Sequence, residues 1–122
     1  MCADADVAEQ DVFALAQSQD KACLAVLRFF AGRLCDTEHF IIDAPEDDAV
    51  ARYELIMGYY SMRERIPPRI LIDSLPQDAE LISQWLSDKR GKKAQIFRPQ
   101  RGEKAKVSEM CLNNAAQKLG EY

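Results

Sequence analysis

The sequence has no pair of cysteines close enough to frame a metal knuckle, only one histidine, and no apolar run near the ~20 residues of a membrane span. Cys2, Cys23, Cys35 and Cys111 are scattered along the chain, and His39 alone cannot complete a zinc set. Neither a disulfide scaffold nor a zinc module is indicated, and a reducing, cytoplasmic compartment is expected. The opening residues Met1, Cys2, Ala3, Asp4, Ala5 and Asp6 contain no basic leader and no apolar core, so the expectation is a soluble, unexported protein. Glycine and proline number five each, which leaves no low-complexity tract, and no internal repeat is present.

What is present suits one compact core. The chain has 122 residues, of which 48% are apolar and 30% charged. A domain of this size buries roughly two-thirds of the surface that its unfolded chain exposes. Residues 1–10 read as a flexible amino-terminal segment and 11–122 as a single domain. The net charge of −4 conceals a division. Residues 1–88 hold 7 Lys/Arg against 17 Asp/Glu, a net −10, whereas residues 89–122 hold 9 against 3, a net +6. Any polyanion would therefore meet a local face and not the whole surface.

Eight elements can be separated. Residues 11–17 form a short apolar run, followed by a Ser18-Gln19-Asp20 turn. Residues 21–30 carry bulky groups on both alternating faces, as a central strand covered on both sides does. Ala31-Gly32 turns the chain into a third strand over 33–42. Pro45 and the acids Glu46, Asp47 and Asp48 precede Val50, Tyr53, Ile56, Met57 and Tyr60, whose spacing predicts a one-sided helix. Pro67-Pro68 stops it before a short strand at 69–72. Asp78 precedes a second helix through Leu81, Ile82, Trp85 and Leu86, which Gly91 closes. A strand at 94–97 follows, and then a last helix with Val107, Met110, Cys111, Ala115 and Lys118 or Leu119 inward. Cys23 and Cys111 fall in apolar patterns and read as buried thiols.

The order β-β-β-α-β-α-β-α predicts an α/β domain, a mixed five-stranded sheet with three helices. It is the order of the ribonuclease H-like fold, and an unrelated α+β sandwich could share it. In a nuclease of that fold, carboxylates must converge on divalent metals. Asp11, Glu54, Asp73 and Glu109 sit in suitable elements, but their ordinary reading is solvent exposure, caps or turns. No catalytic, metal or cofactor residue is therefore assigned. His39 reads as a sheet-surface or packing residue, Trp85 as core, and Asn114 as a structural hydrogen-bonding group beside Asn113.

The cations of the last third form the other candidate. Lys89, Arg90, Lys92, Lys93, Arg98, Arg101, Lys104 and Lys106 occupy two helix-associated junctions around one short strand. If the junctions meet on one face, these groups can hold phosphates without reading bases. Arg101 and Lys104 lead, because Gly102 places the start of a helix and its amides beside them.

From about Asp11 onward an ordered set of motifs resembles one family. It runs through residues 10–16, residues 22–26, Ala31-Gly32-Arg33-Leu34, His39-Phe40, Gly58-Tyr59-Tyr60 and Ile66-Pro67-Pro68-Arg69-Ile70-Leu71-Ile72. Its most specific part is Leu86-Ser87-Asp88-Lys89-Arg90-Gly91, then Pro99-Gln100-Arg101-Gly102-Glu103-Lys104 and Asn113-Asn114-Ala115. Over roughly 110 residues the chain resembles the middle region of UvrC, the nuclease subunit of bacterial nucleotide-excision repair. That region lies between the UvrB-binding helices and the carboxy-terminal nuclease domain. The resemblance implies a noncatalytic module of a DNA-damage and SOS-response repair nuclease, with other UvrC domains and a UvrB-containing complex as partners. It also implies possible contact with the DNA phosphate backbone and no membrane. A scaffold without DNA contact is the alternative reading, and a divalent-metal nuclease a more distant one. The chain carries no GIY-YIG constellation of the kind that opens the full-length family members.

Overall fold

The computed structural model describes residues 9–122. The expected flexible segment lies outside the described residues over 1–8, while Glu9 and Gln10 already belong to the first strand. In chain order the elements are β1 (Glu9–Gln17), β2 (Lys21–Phe30), β3 (Arg33–Asp43), α1 (Asp48–Ser61), β4 (Arg69–Ile72), α2 (Ala79–Arg90), β5 (Gln95–Phe97) and α3 (Gly102–Glu121). The strands form one mixed sheet in the order β3-β2-β1-β4-β5, antiparallel across β1, β2 and β3 and parallel from β1 to β4 to β5. This is the ribonuclease H-like arrangement that the element order predicts.

Strand alternation sorts the core into two layers. Phe13, Leu15, Leu24, Val26, Ile70, Ile72 and Ile96 face α1 and α2, where they meet Ile56, Tyr59, Tyr60, Ile82 and Leu86. Val12, Ala14, Ala16, Cys23, Ala25, Leu27 and Leu71 face α3, where they meet Cys111 and Ala115. The second layer is built from small side chains, so α3 lies close to the sheet. Cys111 Sγ sits 3.5 Å from the carbonyl oxygens of both Val12 and Ala25. Burial pushes its thiol pKa up to about 12, which keeps it a neutral packing group.

Local signals close the elements as the sequence suggests. Asp47 caps α1 by accepting from the amides of Ala49 (3.0 Å) and Val50 (3.1 Å). The β2–β3 turn uses positive φ at Ala31 (55°) and Gly32 (77°), and Gly91 ends α2 in the left-handed region. On α1 the expected Ile56 and Tyr60 are buried, with Tyr53 and Met57 half-buried against the same core, and the buried stripe also takes in Arg52 and Tyr59. On α3, Met110 is 46% exposed and Ser108 takes its place inward, because 108, 111 and 115 share one stripe and 110 lies a quarter-turn aside.

Asp11 corrects the expectation of an exposed or turn carboxylate. It is 2% exposed, accepts a hydrogen bond from the Tyr60 hydroxyl and pairs with Arg28 at 3.3 Å. Burial raises its pKa above the ordinary carboxylate value of 3.8, a shift that Tyr60 and Arg28 only partly offset. A carboxylate with a raised native pKa contributes stability that is present below about pH 3.8 and lost as the pH climbs through the native value. Urea midpoints measured at steps upward from about pH 4 should therefore fall for the wild type relative to Asp11→Asn. Parallel profiles for the two proteins would refute the assignment.

Candidate nucleic-acid interface

The carboxyl end of β4 lies beside the middle of β1, since Phe13 pairs with Ile72 in the parallel register. Asp73 leaves β4 at that point and is held from three sides. Arg52 reaches it from α1 with Nε at 3.1 Å from Oδ1 and a terminal nitrogen at 2.9 Å from Oδ2. The Leu15 amide donates to Oδ2 at 3.2 Å, and Arg98 Nε donates to the Asp73 carbonyl at 3.1 Å. The Arg52 and Asp73 side chains are 6% and 11% exposed, so this is a buried bidentate pair and not the surface carboxylate the sequence suggests.

A two-metal centre does not fit these residues. Glu109 shares a shallow hollow with Asp73, but the Asp73 oxygens already accept from Arg52 and Leu15, and Arg98 and Lys106 line the same hollow. Asp11 pairs with Ile70, three positions before Asp73, and is sealed by Tyr60 and Arg28. Glu54 is exposed on α1. Among the described residues no group of three or more metal-ligating side chains comes together.

The cations do converge in part. On the α3 side of the sheet, Arg69 and Gln95 pair across β4 and β5, as do Leu71 and Phe97 one step along each face. Helix α3 covers β1 and β2, so the outer edge of that face stays open. A groove of about 530 Å³ forms there, lined by Pro68, Arg69, Arg90, Lys92, Lys93, Gln95, Phe97 and Lys104. Among the described residues that line it, five are cationic and none is acidic. They come from the start of β4, the end of α2, the α2–β5 connection and the first turn of α3.

Hydrogen bonds fix that edge. Ser83 Oγ accepts from the Ile96 amide at 3.1 Å, and Ser87 Oγ bonds both the amide and the carbonyl of Ala94. Arg90 binds the carbonyls of Ile66 (3.0 Å) and Lys93 (3.2 Å), so its guanidinium shapes the groove wall. Gly102, with φ of 82°, turns the chain into α3 and sets the position of Lys104; another L-residue there would carry roughly 1–2 kcal/mol of strain.

The eight sequence candidates divide accordingly. Arg90, Lys92, Lys93 and Lys104 line the groove. Lys89 lies over the Trp85 ring at 5.8 Å, Arg98 and Lys106 line the hollow beside Asp73, and Arg101 stands exposed at the start of α3 outside both. Arg69 belongs to the groove and was not a candidate. Its signal was its position as the first residue of a strand, on the same face as Leu71. His39 contacts Asn114 Oδ1 through Nε2, a structural link between β3 and α3, and Trp85 packs on the core while half-buried.

Removing one partner of the buried pair leaves an uncompensated charge, which costs about 3–5 kcal/mol. Arg52→Met should lower the unfolding free energy by about that much in urea titration, and a loss below about 1 kcal/mol would show that the pair does not hold the sheet end.

Residues 9–122 match the family model described as the UvrC ribonuclease H-like domain. The chain is 35% identical to UvrABC system protein C of Acetivibrio thermocellus over 93% of its own length and 19% of that protein's. It is 33% identical to the Clostridioides difficile protein of the same name, over 98% of this chain and 20% of that one. The Streptomyces griseus protein is 31% identical, over 95% and 17%. The chain thus spans about one fifth of the length of the curated relatives it matches. Among solved structures, the PCNA:RNase HII complex from Archaeoglobus fulgidus superposes at a TM-score of 0.39 and 10% identity, over 93% of this chain and 77% of the matched chain. The family match over residues 9–122, on a sheet of order β3-β2-β1-β4-β5, means that this chain belongs to the UvrC ribonuclease H-like domain family.

Proposed function

We propose that this chain is a noncatalytic module of a cytoplasmic UvrC-type excision-repair nuclease, and that it holds the phosphate backbone of DNA at the open β4–β5 edge. One observation carries the reading: five cations from separate parts of the chain line a single groove in which the described residues include no carboxylate. Cations gathered this way attract a polyanion and release its counterions, an interaction that needs no particular base sequence. A repair protein that meets varied lesions has use for such a contact. The acidic remainder of the surface would orient the approach by repelling DNA elsewhere.

The noncatalytic part rests on Asp73. Its oxygens are committed to Arg52 and the Leu15 amide, Glu109 shares its hollow with Arg98 and Lys106, and among the described residues no group of three or more metal-ligating side chains gathers to share metals. Incision would belong to other regions of the longer protein, with further UvrC domains and a UvrB-containing complex as its partners. A second reading, a docking scaffold, draws on the far end of the sheet. There Phe30, Leu34 and Met62 are 49%, 51% and 83% exposed.

Titration of a labelled duplex over increasing salt separates the readings. Weak binding should fall steeply with salt, and Arg69→Gln, Lys93→Gln and Lys104→Gln should each flatten the log–log slope by about 1. Arg101→Ala should flatten it less. No salt-sensitive binding, together with capture of another UvrC segment that Leu34→Glu and Met62→Glu abolish, would favour the scaffold. Cleavage dependent on Mg2+ or Mn2+ and lost in Asp73→Asn would overturn the noncatalytic assignment.

A further inference from the structure

The groove differs from a simple cationic surface in two respects. It is concave, and it includes an aromatic ring. Phe97 ends β5 on the face toward α3 and is half-buried: it packs on the Leu71 layer while lining the groove among Arg69, Lys93, Gln95 and Lys104. Pro68 forms part of the rim. A duplex is convex and keeps its bases stacked inside, so it can reach the rim cations but cannot place a base against Phe97. A single strand can do both. Its phosphates follow a cationic channel while an unstacked base lies on a ring, the combination that sequence-tolerant single-strand binders use.

The other hollows lack this combination. The one beside the β2–β3 turn mixes Arg28, Arg63 and Arg65 with Glu9, Asp11, Asp36 and Glu64. The one beside Asp73 contains Glu109 and no aromatic residue. The hollow between α2 and β5 shares Phe97 but includes Glu80, with Lys93 and Arg98 as its cations. Among the described residues that line these hollows, an aromatic ring and several cations meet without an acid at the β4–β5 edge.

We infer that the β4–β5 groove takes one unpaired nucleic-acid strand, with phosphates on Arg69, Lys93 and Lys104 and a base against Phe97. This rests on the phosphate-contact reading above and narrows it from DNA in general to unpaired nucleotides. Arg69 thereby becomes a binding residue together with Lys93 and Lys104, and Phe97 the platform.

Fluorescence anisotropy at low salt with the 122-residue chain tests it, using a labelled ten-nucleotide oligothymidylate, a ten-base-pair duplex, and an abasic strand of the same length. The thymidylate should bind about 10-fold more tightly than the abasic strand, and Phe97→Leu should remove most of that difference while changing duplex binding less than about 2-fold. Arg69→Gln should weaken both single strands. The abasic comparison uses the unaltered protein, so it stands even if Phe97→Leu proves unstable in thermal melts. An oligouridylate of equal length distinguishes RNA from DNA as the source of the strand. Equal affinity for thymidylate and abasic strands, or tighter binding of the duplex, would overturn the single-strand assignment while leaving phosphate contact intact. Absence of binding to every probe would remove both.

Discussion

Residues 12–16 of β1 are covered on both faces of the sheet, and this double cover governs where the helices lie. Large groups on one face, Phe13 and Leu15, keep α1 and α2 at the distance their tyrosines and isoleucines fill. Alanines on the other let α3 come close enough for Cys111 to reach the β1 and β2 carbonyls. Because α3 is drawn onto β1 and β2 by those small residues, it leaves the outer part of the same face open. The cationic groove exists for that reason: its floor is Gln95 and Phe97 of an edge strand, and its wall is the first turn of a helix anchored elsewhere.

The other end of β4 carries a carboxylate that the fold turns inward. Asp73 sits where parallel strands end and where ligands of open α/β sheets commonly gather. Arg52, one of the few buried charges, turns that carboxylate inward as a tie between α1, β1 and β4. A pair so placed binds elements together and withdraws the oxygens from metals. The acidic residue thus serves the fold here, while cations gather at the β5 edge.

Much of the architecture was legible because its signals are local. Alternation in β1 and β2, the Ala31-Gly32 turn, the acids before α1 and Gly91 after α2 each depend on a few neighbouring residues, and those boundaries agree closely with the structure, whereas α1 ends at Ser61, before Pro67-Pro68 is reached. Arg52, Asp11 and Asp73 were not legible. A charged residue reads as exposed until its partner is known, and the partners lie 21 residues away for Arg52 with Asp73 and 49 for Asp11 with Tyr60. Met110 failed for a different reason, since a helix packed over alanines buries a narrow stripe and excludes a bulky residue a quarter-turn off it.

The candidate site was half visible on the same grounds. The concentration of cations after residue 88 is a property of composition, and the sequence by itself determined it, together with the element order and the family resemblance that residues 9–122 bear out. Which cations meet was decided only by tertiary structure. Register between β4 and β5 brings Arg69 beside Gln95, and the seating of α3 adds Lys104 while leaving Arg101 outside. Sequence records charge and periodicity along one dimension, whereas a groove depends on which strands become neighbours and how closely a helix can approach them.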